Sequence, residues 1–193
     1  MKKGNSLNSK TLFITRAAVI AALYVALTLM SAIFGLDSKA IQVRFSEALC
    51  VLPIYTSAAV PGVTVGCFIY NLFFGVSPLD TVFGTLATLI GATCTYYIRI
   101  FHKHPLLAGI PTVISNTLII PFVIVFAFSD GNLALLPFTM LTVALGEIVS
   151  CMILGTVLLA ALRKHRATLF GKMTNGYSGK AANNNERNPK ERL

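Results

Sequence analysis

The chain has 193 residues, of which 55% are hydrophobic and only 12% are charged. An ordinary soluble domain is about 25% charged, so this composition excludes a disordered chain and argues against a water-soluble globular domain. The net charge is +9, from 16 Lys and Arg against 7 Asp and Glu. In a soluble protein that surplus would favour nucleic-acid binding. Here the basic residues lie mainly in the two ends of the chain and one loop, which is typical of a membrane protein.

Six apolar segments follow one another along the chain, separated by polar, Gly or Pro residues. About 20 apolar residues in a helix cross a hydrocarbon core about 30 Å thick. We therefore predict an all-α membrane protein with about six transmembrane helices in one bundle. The predicted segments are Thr11–Phe34, Phe45–Val60, Val63–Gly75, Asp80–Ile100, Pro105–Phe128 and Leu135–Leu162.

The first segment is too long for the core of a signal peptide, so we interpret it as a retained helix. The second and third segments are short, and Pro61–Gly62 predicts a break between them. They form either a full transmembrane hairpin, helped by flanking residues, or a re-entrant pair. Both alternatives return the chain to the same side of the membrane. In the fifth segment, Pro111 and Pro121 predict kinks.

The distribution of Lys and Arg predicts the orientation of a multi-pass protein in the cell membrane. By the positive-inside rule, both termini and the loop after the fourth segment face the cytoplasm. The chain then divides into a cytoplasmic N-terminal segment (residues 1–11), a membrane domain (residues 12–162) and a basic, flexible cytoplasmic tail (residues 163–193). The residues behind this prediction are Lys2, Lys3, Lys10, Arg16, Arg99, Lys103, Arg163, Lys164, Arg166, Lys172, Lys180, Arg187, Lys190 and Arg192.

Only a few ionisable or amide side chains lie within or beside the apolar segments, and they are candidates for a binding site. A charge at mid-bilayer costs about 2.5–3.5 kcal/mol on insertion scales, so it normally faces the bundle interior. The topology predicts a polar pocket that is open to the outside and has an acidic bias. Its candidate residues are Arg44, Glu47, Asn71, Asp80, Asn116 and Glu147.

Two of the three acids also have a structural interpretation. Asp80 would stabilise the first turn of the fourth helix, and Glu47 would form a salt bridge with the nearby Arg44. Glu147 has no basic residue near it in the sequence. Because a lone carboxylate inside a helix needs donors, Glu147 is the strongest candidate for contact with a donor-rich ligand.

Small residues recur at helical spacing on three of the segments. Such stripes let two helices approach closely. We expect packing within this chain or, for the first segment, docking to a partner membrane subunit. The stripes are Ala18, Ala22 and Ala26 on the first segment, Gly62 and Gly66 on the third, and Gly146 and Ser150 on the sixth.

The sequence predicts no cofactor, no metal site and no catalytic activity. Its four cysteines share no metal-ligand or redox spacing. It has no G-x-x-x-x-G-K-[ST] motif for holding a nucleotide. Neither an HExxH nor a GxSxG motif is present, and no nucleophile–base set is evident.

Several blocks of the sequence resemble the queuosine-precursor transporter (QueT) family, whose members are substrate-binding S components of energy-coupling factor (ECF) transporters. The resemblance spans roughly residues 12–162. It implies a six-helix S component that captures queuine or a 7-deazaguanine precursor from outside. It also implies a T component, docked on Ala18, Ala22 and Ala26, and two cytoplasmic ATPase subunits as partners. The blocks are Ile41–Leu49 with Leu52-Pro53, Gly66–Leu72, Asp80–Leu89 and Gly146-Glu147.

The candidate residues agree in part with such a ligand. A 7-deazaguanine presents a ring N–H and an exocyclic NH₂ side by side, and a carboxylate such as Glu147 or Glu47 accepts both at once. An amide such as Asn71 can reach the ring carbonyl, and a second acid would pair with a positively charged substituent. An aromatic side chain, Tyr70, Phe74 or Phe138, could stack on the flat ring. The alternatives are an S component for another vitamin or cationic heterocycle, and a stand-alone secondary transporter or channel.

Overall fold

The computed structural model describes residues 9–36, 42–75, 77–98, 105–129, 131–165 and 169. These residues form helices and connecting turns, with no strand among them, which confirms the predicted all-α fold. The predictions for residues 1–8, for the basic loop at 99–104 and for most of the C-terminal tail fall outside the described residues.

Six helical segments follow the predicted order within the described ranges. The segments are α1 (Ser9–Ile33), α2 (Phe45–Ile54), α3 (Ala59–Phe74), α4 (Asp80–Gly84 and Thr85–Tyr97), α5 (Pro105–Gly109 and Ile110–Phe128) and α6 (Leu133–Leu135, Leu136–Glu147, Ile148–Leu154 and Gly155–Arg163). Helix α2 is a 3₁₀-helix, as are the first turns of α5 and α6, whereas Asp80–Gly84 and Ile148–Leu154 have π geometry.

The outside of the bundle is apolar. Ile14, Phe73, Phe126 and Val157 are between 59% and 72% exposed. A water-soluble monomer rarely exposes contiguous apolar surface of this extent, but hydrocarbon tails solvate it well. Three of the described helical stretches are long and apolar enough to cross a membrane: Ser9–Ile33, Leu106–Ala127 and Leu133–Arg163.

Helix α2 forms the centre of the bundle. Nine of its ten residues are buried, and it contacts α1, α3, α4, α5 and α6. At a rise of about 2 Å per residue, α2 extends about 20 Å, and the 16 residues of α3 extend about 24 Å. Neither helix alone therefore reaches across a hydrocarbon core about 30 Å thick.

The predicted break at Pro61–Gly62 is wrong, because both residues lie inside α3. The chain turns earlier, at residues 55–58. Pro61 occupies the first turn of α3, where its missing N–H removes no helical hydrogen bond. Pro111 likewise falls in the first turn of Ile110–Phe128, and Pro121 lies inside that helix.

Close packing of α1 on α3 depends on the two glycines of the small-residue stripe on α3. A Cβ added at Gly62 would lie 2.9 Å from Ile20 Cβ, and one added at Gly66 would lie 2.6 Å from Tyr24 Cβ. These distances leave no room for a methyl group. The stripe on α3 therefore packs within this chain, as expected from the sequence.

We expect Gly66→Ala to lower the free energy of unfolding by about 1–3 kcal/mol, because the added methyl group overpacks the contact with Tyr24. Thermal or denaturant unfolding of the purified protein in detergent measures this. Val65→Leu is the matched control, since it also adds one carbon atom, but to a side chain that is 47% exposed. Equal stability of the two variants would contradict the close α1–α3 contact.

Candidate binding site

A polar cavity lies among helices α2 to α6 and the segment 42–44. The volume of this cavity is only about 30 Å³. Ligand pockets commonly measure about 300–1,000 Å³, so the walls must move apart for a heterocycle to enter. The lining residues are Gln42, Arg44, Glu47, Cys67, Gly84, Thr88, Asn116, Ile120, Val143 and Glu147.

The segment that leads into α2 packs on the small-residue stripe of α6. A Cβ added at Gly146 would collide with the carbonyl oxygen of Gln42. One turn further along α6, Ser150 Oγ accepts a hydrogen bond from the backbone N–H of Arg44 over 3.1 Å. The stripe therefore packs within the chain. This packing brings Arg44 to the cavity, which is also lined by Glu147, the residue that follows Gly146.

Asn116 and Glu147 form the central polar contact of the cavity. Asn116 Nδ2 donates a hydrogen bond to Glu147 Oε1 over 2.7 Å, which links α5 to α6. Within the described part of the chain, Asn116 Oδ1 and Glu147 Oε2 are buried and have no hydrogen-bond partner. Buried polar atoms are normally paired. Because the two side chains share a hydrogen bond, their two acceptors without donors suit a ligand that presents two donors.

The Glu47 carboxylate is 2% exposed and is held by two donors. The Tyr24 hydroxyl donates to Oε1 over 2.5 Å, and the Cys50 thiol donates to Oε2 over 3.2 Å. The role of Tyr24 was not predicted. A signal for it exists in the sequence, because Tyr24, Thr28 and Ser31 recur at helical spacing on the buried face of α1.

Arg44 joins the segment 42–44 to the beginning of α4. Its Nη2 atom lies 4.0 Å from Asp80 Oδ2, and the two side chains are 20% and 17% exposed. Partly exposed pairs of this kind contribute at most about 1 kcal/mol. The pair nevertheless places a carboxylate beside the only guanidinium among the described cavity-lining residues.

Asn71 lies directly behind the α4 wall of the cavity. Its Nδ2 donates to the carbonyl oxygen of Asp80 over 3.3 Å, and a Cβ added at the lining residue Gly84 would lie 3.0 Å from the same nitrogen. Asn71 is 2% exposed, and its Oδ1 has no hydrogen-bond partner within the described ranges. Asn71 therefore supports the wall at Gly84 and adds a further unsatisfied acceptor close to the cavity.

Not every predicted site residue reaches the cavity. Tyr70 and Phe74 stack on each other with ring centroids 5.6 Å apart, and neither is among the described lining residues. Phe74 is 55% exposed on the outside of the bundle. The lining residues that were not predicted are Gln42, Cys67, Gly84, Thr88, Ile120 and Val143.

An apolar exterior around a buried polar cavity defines a membrane protein that binds a small polar solute. A family model described as QueT transporter matches residues 14–164. The chain therefore belongs to the QueT transporter family and is a multi-pass protein of the cell membrane.

A curated relative supports this assignment over part of the chain. The chain is 37% identical, over 82 residues, to the Queuosine precursor transporter QueT of Lactococcus lactis subsp. cremoris (strain MG1363). The aligned region covers 42% of this chain and 48% of the relative, so the match spans about half the length of that protein. No solved structure matches the chain.

We expect Tyr24→Phe to lower the free energy of unfolding by about 1–3 kcal/mol, because the buried Glu47 carboxylate loses a hydrogen-bond donor. Denaturant unfolding in detergent measures the change. Tyr97→Phe is the control, since it removes the same hydroxyl from a side chain that is 74% exposed. If Tyr24→Phe unfolds no earlier than this control, Tyr24 does not stabilise Glu47.

Proposed function

We propose that the chain is the substrate-binding S component of an ECF-type importer and captures queuine or another 7-deazaguanine precursor of queuosine. The observation that carries this proposal is the pair of buried, unpartnered acceptors, Glu147 Oε2 and Asn116 Oδ1, in the cavity wall. Membership of the QueT transporter family and the name of the curated relative support the ligand class.

The acceptor pair fits one edge of a 7-deazaguanine. That edge carries a ring N–H beside an exocyclic NH₂, so it presents adjacent donors. Because Asn116 Nδ2 already occupies Glu147 Oε1, the acceptors left for a ligand are one carboxylate oxygen and one amide oxygen. A hydrogen bond to an ionised carboxylate is shorter and stronger than one between neutral groups, so Glu147 would carry most of the affinity.

A partner subunit is supported by the alanine stripe on α1. Ala18, Ala22 and Ala26 are all exposed, whereas Ala21 and Tyr24 on the other face of α1 are buried. The corresponding stripes on α3 and α6 are used within the chain, but this one is left on the outside. A stripe of small residues lets a second helix approach closely, as docking on a T component would require. Two ATPase subunits would then supply ATP hydrolysis.

We expect Glu147→Gln to weaken binding of queuine about 10- to 100-fold. The substitution replaces an acceptor oxygen by an NH₂ group that opposes the donors of the ligand and removes about 1.5–3 kcal/mol of charge-assisted hydrogen bonding. Titration calorimetry of the purified protein in detergent measures the dissociation constant.

Thr112→Val is the control for this titration. It removes another buried polar atom without a hydrogen-bond partner, but Thr112 is not among the cavity-lining residues, so affinity should be unchanged. Unaltered binding by Glu147→Gln would exclude Glu147 from the site. Tight binding of a vitamin, with no binding of any 7-deazaguanine, would overturn the proposed substrate.

We expect Ala22→Leu to prevent copurification of the chain with a T component and two ATPase subunits, while ligand binding by the isolated chain is retained. The larger side chain blocks the close approach of a second helix. Ala160→Leu makes the same change at an exposed position of α6 and should leave the complex intact.

Either of two outcomes would contradict the proposed partner subunits. An intact complex with Ala22→Leu would show that the α1 stripe is not the docking face. Uptake of the ligand by cells that express this chain without a T component or ATPase subunits would favour a stand-alone transporter instead.

A further inference from the structure

We propose that a groove between α4 and α5, on the outside of the bundle, binds one acyl chain of a membrane phospholipid. The groove has a volume of about 400 Å³. Leu79 and Phe83 line it at the beginning of α4, and five side chains between Leu118 and Phe126 line it on α5. All seven of these described side chains are apolar.

The groove begins where the close packing of α4 on α5 ends. Ser115 Oγ donates a hydrogen bond to the carbonyl oxygen of Ala87 over 3.0 Å, and a Cβ added at Gly91 would lie 2.8 Å from Thr112 Cα. Leu118, about one turn beyond Ser115, is the first groove residue of α5. Small residues thus bring the two helices together at one level, and the large side chains beyond that level leave a groove between them.

The groove is continuous with the surface that faces the lipid. Its α5 wall belongs to Leu106–Ala127, one of the stretches that are long and apolar enough to cross a membrane. Leu79, Leu118 and Phe126 are 41%, 54% and 59% exposed. Because Leu79 and Phe126 lie at the end of the bundle that is predicted to face outside, the groove is open to the acyl chains of the outer leaflet.

The groove fits an acyl chain better than a helix of a partner subunit. A helix with its side chains is about 10–12 Å in diameter, and helices in membranes approach each other closely through small residues. No Gly, Ala, Ser or Thr is among the described lining residues of the groove, in contrast to the alanine stripe on α1. A slender, flexible hydrocarbon chain needs no small residues and can lie between the bulky side chains.

Packing contacts would hold the chain, because the surroundings of the groove are already hydrocarbon and supply no hydrophobic driving force. An acyl chain on a flat part of the surface contacts the protein on one side only. In the groove it contacts protein on several sides, so the sum of dispersion contacts is larger. We therefore expect the groove to retain an acyl chain more tightly than the rest of the lipid-facing surface does.

The groove is a site separate from the polar cavity, although α4 and α5 form a wall of each. Phe83 and Ile119 line the groove, whereas Gly84 and Ile120, the residues that follow them, line the cavity. The inference therefore goes beyond the proposed function and does not depend on which solute the cavity binds.

The experiment uses fluorescence quenching by a brominated lipid. The chain has no Trp, so an introduced Trp is the only indole in the protein. Ile114→Trp places it about one turn from Leu118, and Ile153→Trp on α6 is the matched control. The two isoleucines are 54% and 52% exposed, and neither is among the described lining residues of the groove.

Each variant would be titrated in detergent with phosphatidylglycerol whose acyl chains carry bromine, which quenches a nearby indole. We expect Ile114→Trp to reach half-maximal quenching at a lipid concentration at least about tenfold lower than Ile153→Trp.

A second substitution tests whether the groove is the place where the lipid binds. Leu118→Phe, combined with Ile114→Trp, partly fills the groove and should raise the lipid concentration for half-maximal quenching at least about threefold. Leu141→Phe makes the same change at an exposed position of α6 and should leave that concentration unchanged. Since the comparison of the two Trp variants needs no substitution in the groove, the inference can be tested even if Leu118→Phe does not fold.

Three outcomes would overturn the inference. Equal lipid concentrations for Ile114→Trp and Ile153→Trp would show that the groove retains no acyl chain in preference to the rest of the surface. Unchanged quenching after Leu118→Phe would place the bound lipid elsewhere. A dimer that dissociates in Leu118→Phe, measured by light scattering, would assign the groove to a second copy of the chain.

Discussion

The contact between Gly146 and the backbone at Gln42 is the constraint on which the cavity depends. Because there is no room for a Cβ at Gly146, the segment 42–44 lies directly on α6, and Ser150 holds it one turn further along. This packing brings Arg44 into the cavity wall, which Glu147 also lines. A bulkier residue at position 146 would displace the segment and separate the two sides of the cavity.

Small residues that allow helices to approach closely lie both inside the bundle and on its outer surface. Inside it, Gly62 and Gly66 hold α1 against α3, which places Tyr24 where it can donate to Glu47. Outside it, the alanine stripe of α1 has no partner within the described part of the chain. One helix thus presents a hydrogen-bond donor to the binding cavity on one face and a candidate docking surface on the other. The proposed importer function gives both faces a role.

Recognition in the cavity follows from which polar atoms the protein has already satisfied. Asn116 uses its amide nitrogen on Glu147, so the atoms left over are acceptors. A ligand with adjacent donors can satisfy them, whereas a ligand with acceptors at the same positions would be repelled. The small volume of the cavity, about 30 Å³, means that binding must also move helices or side chains of the cavity wall. The π turn that begins directly after Glu147 is a local departure from regular helix geometry at that point, as is common at functional sites.

The order of the helices and the identity of the acids followed from the sequence alone. Apolar runs must form helices in lipid, because every backbone polar group needs an internal partner there, and charged residues within such runs are rare enough to be singled out. The position of the turn before α3 could not be predicted, because Pro61 is as compatible with a first helical turn as with a break. Nor could the sequence show that Glu47 is held by Tyr24, that Arg44 lies beside Asp80, or that Phe74 faces outwards. Those facts depend on how the helices rotate about their axes and cross one another, and only contacts between residues distant in the chain decide that.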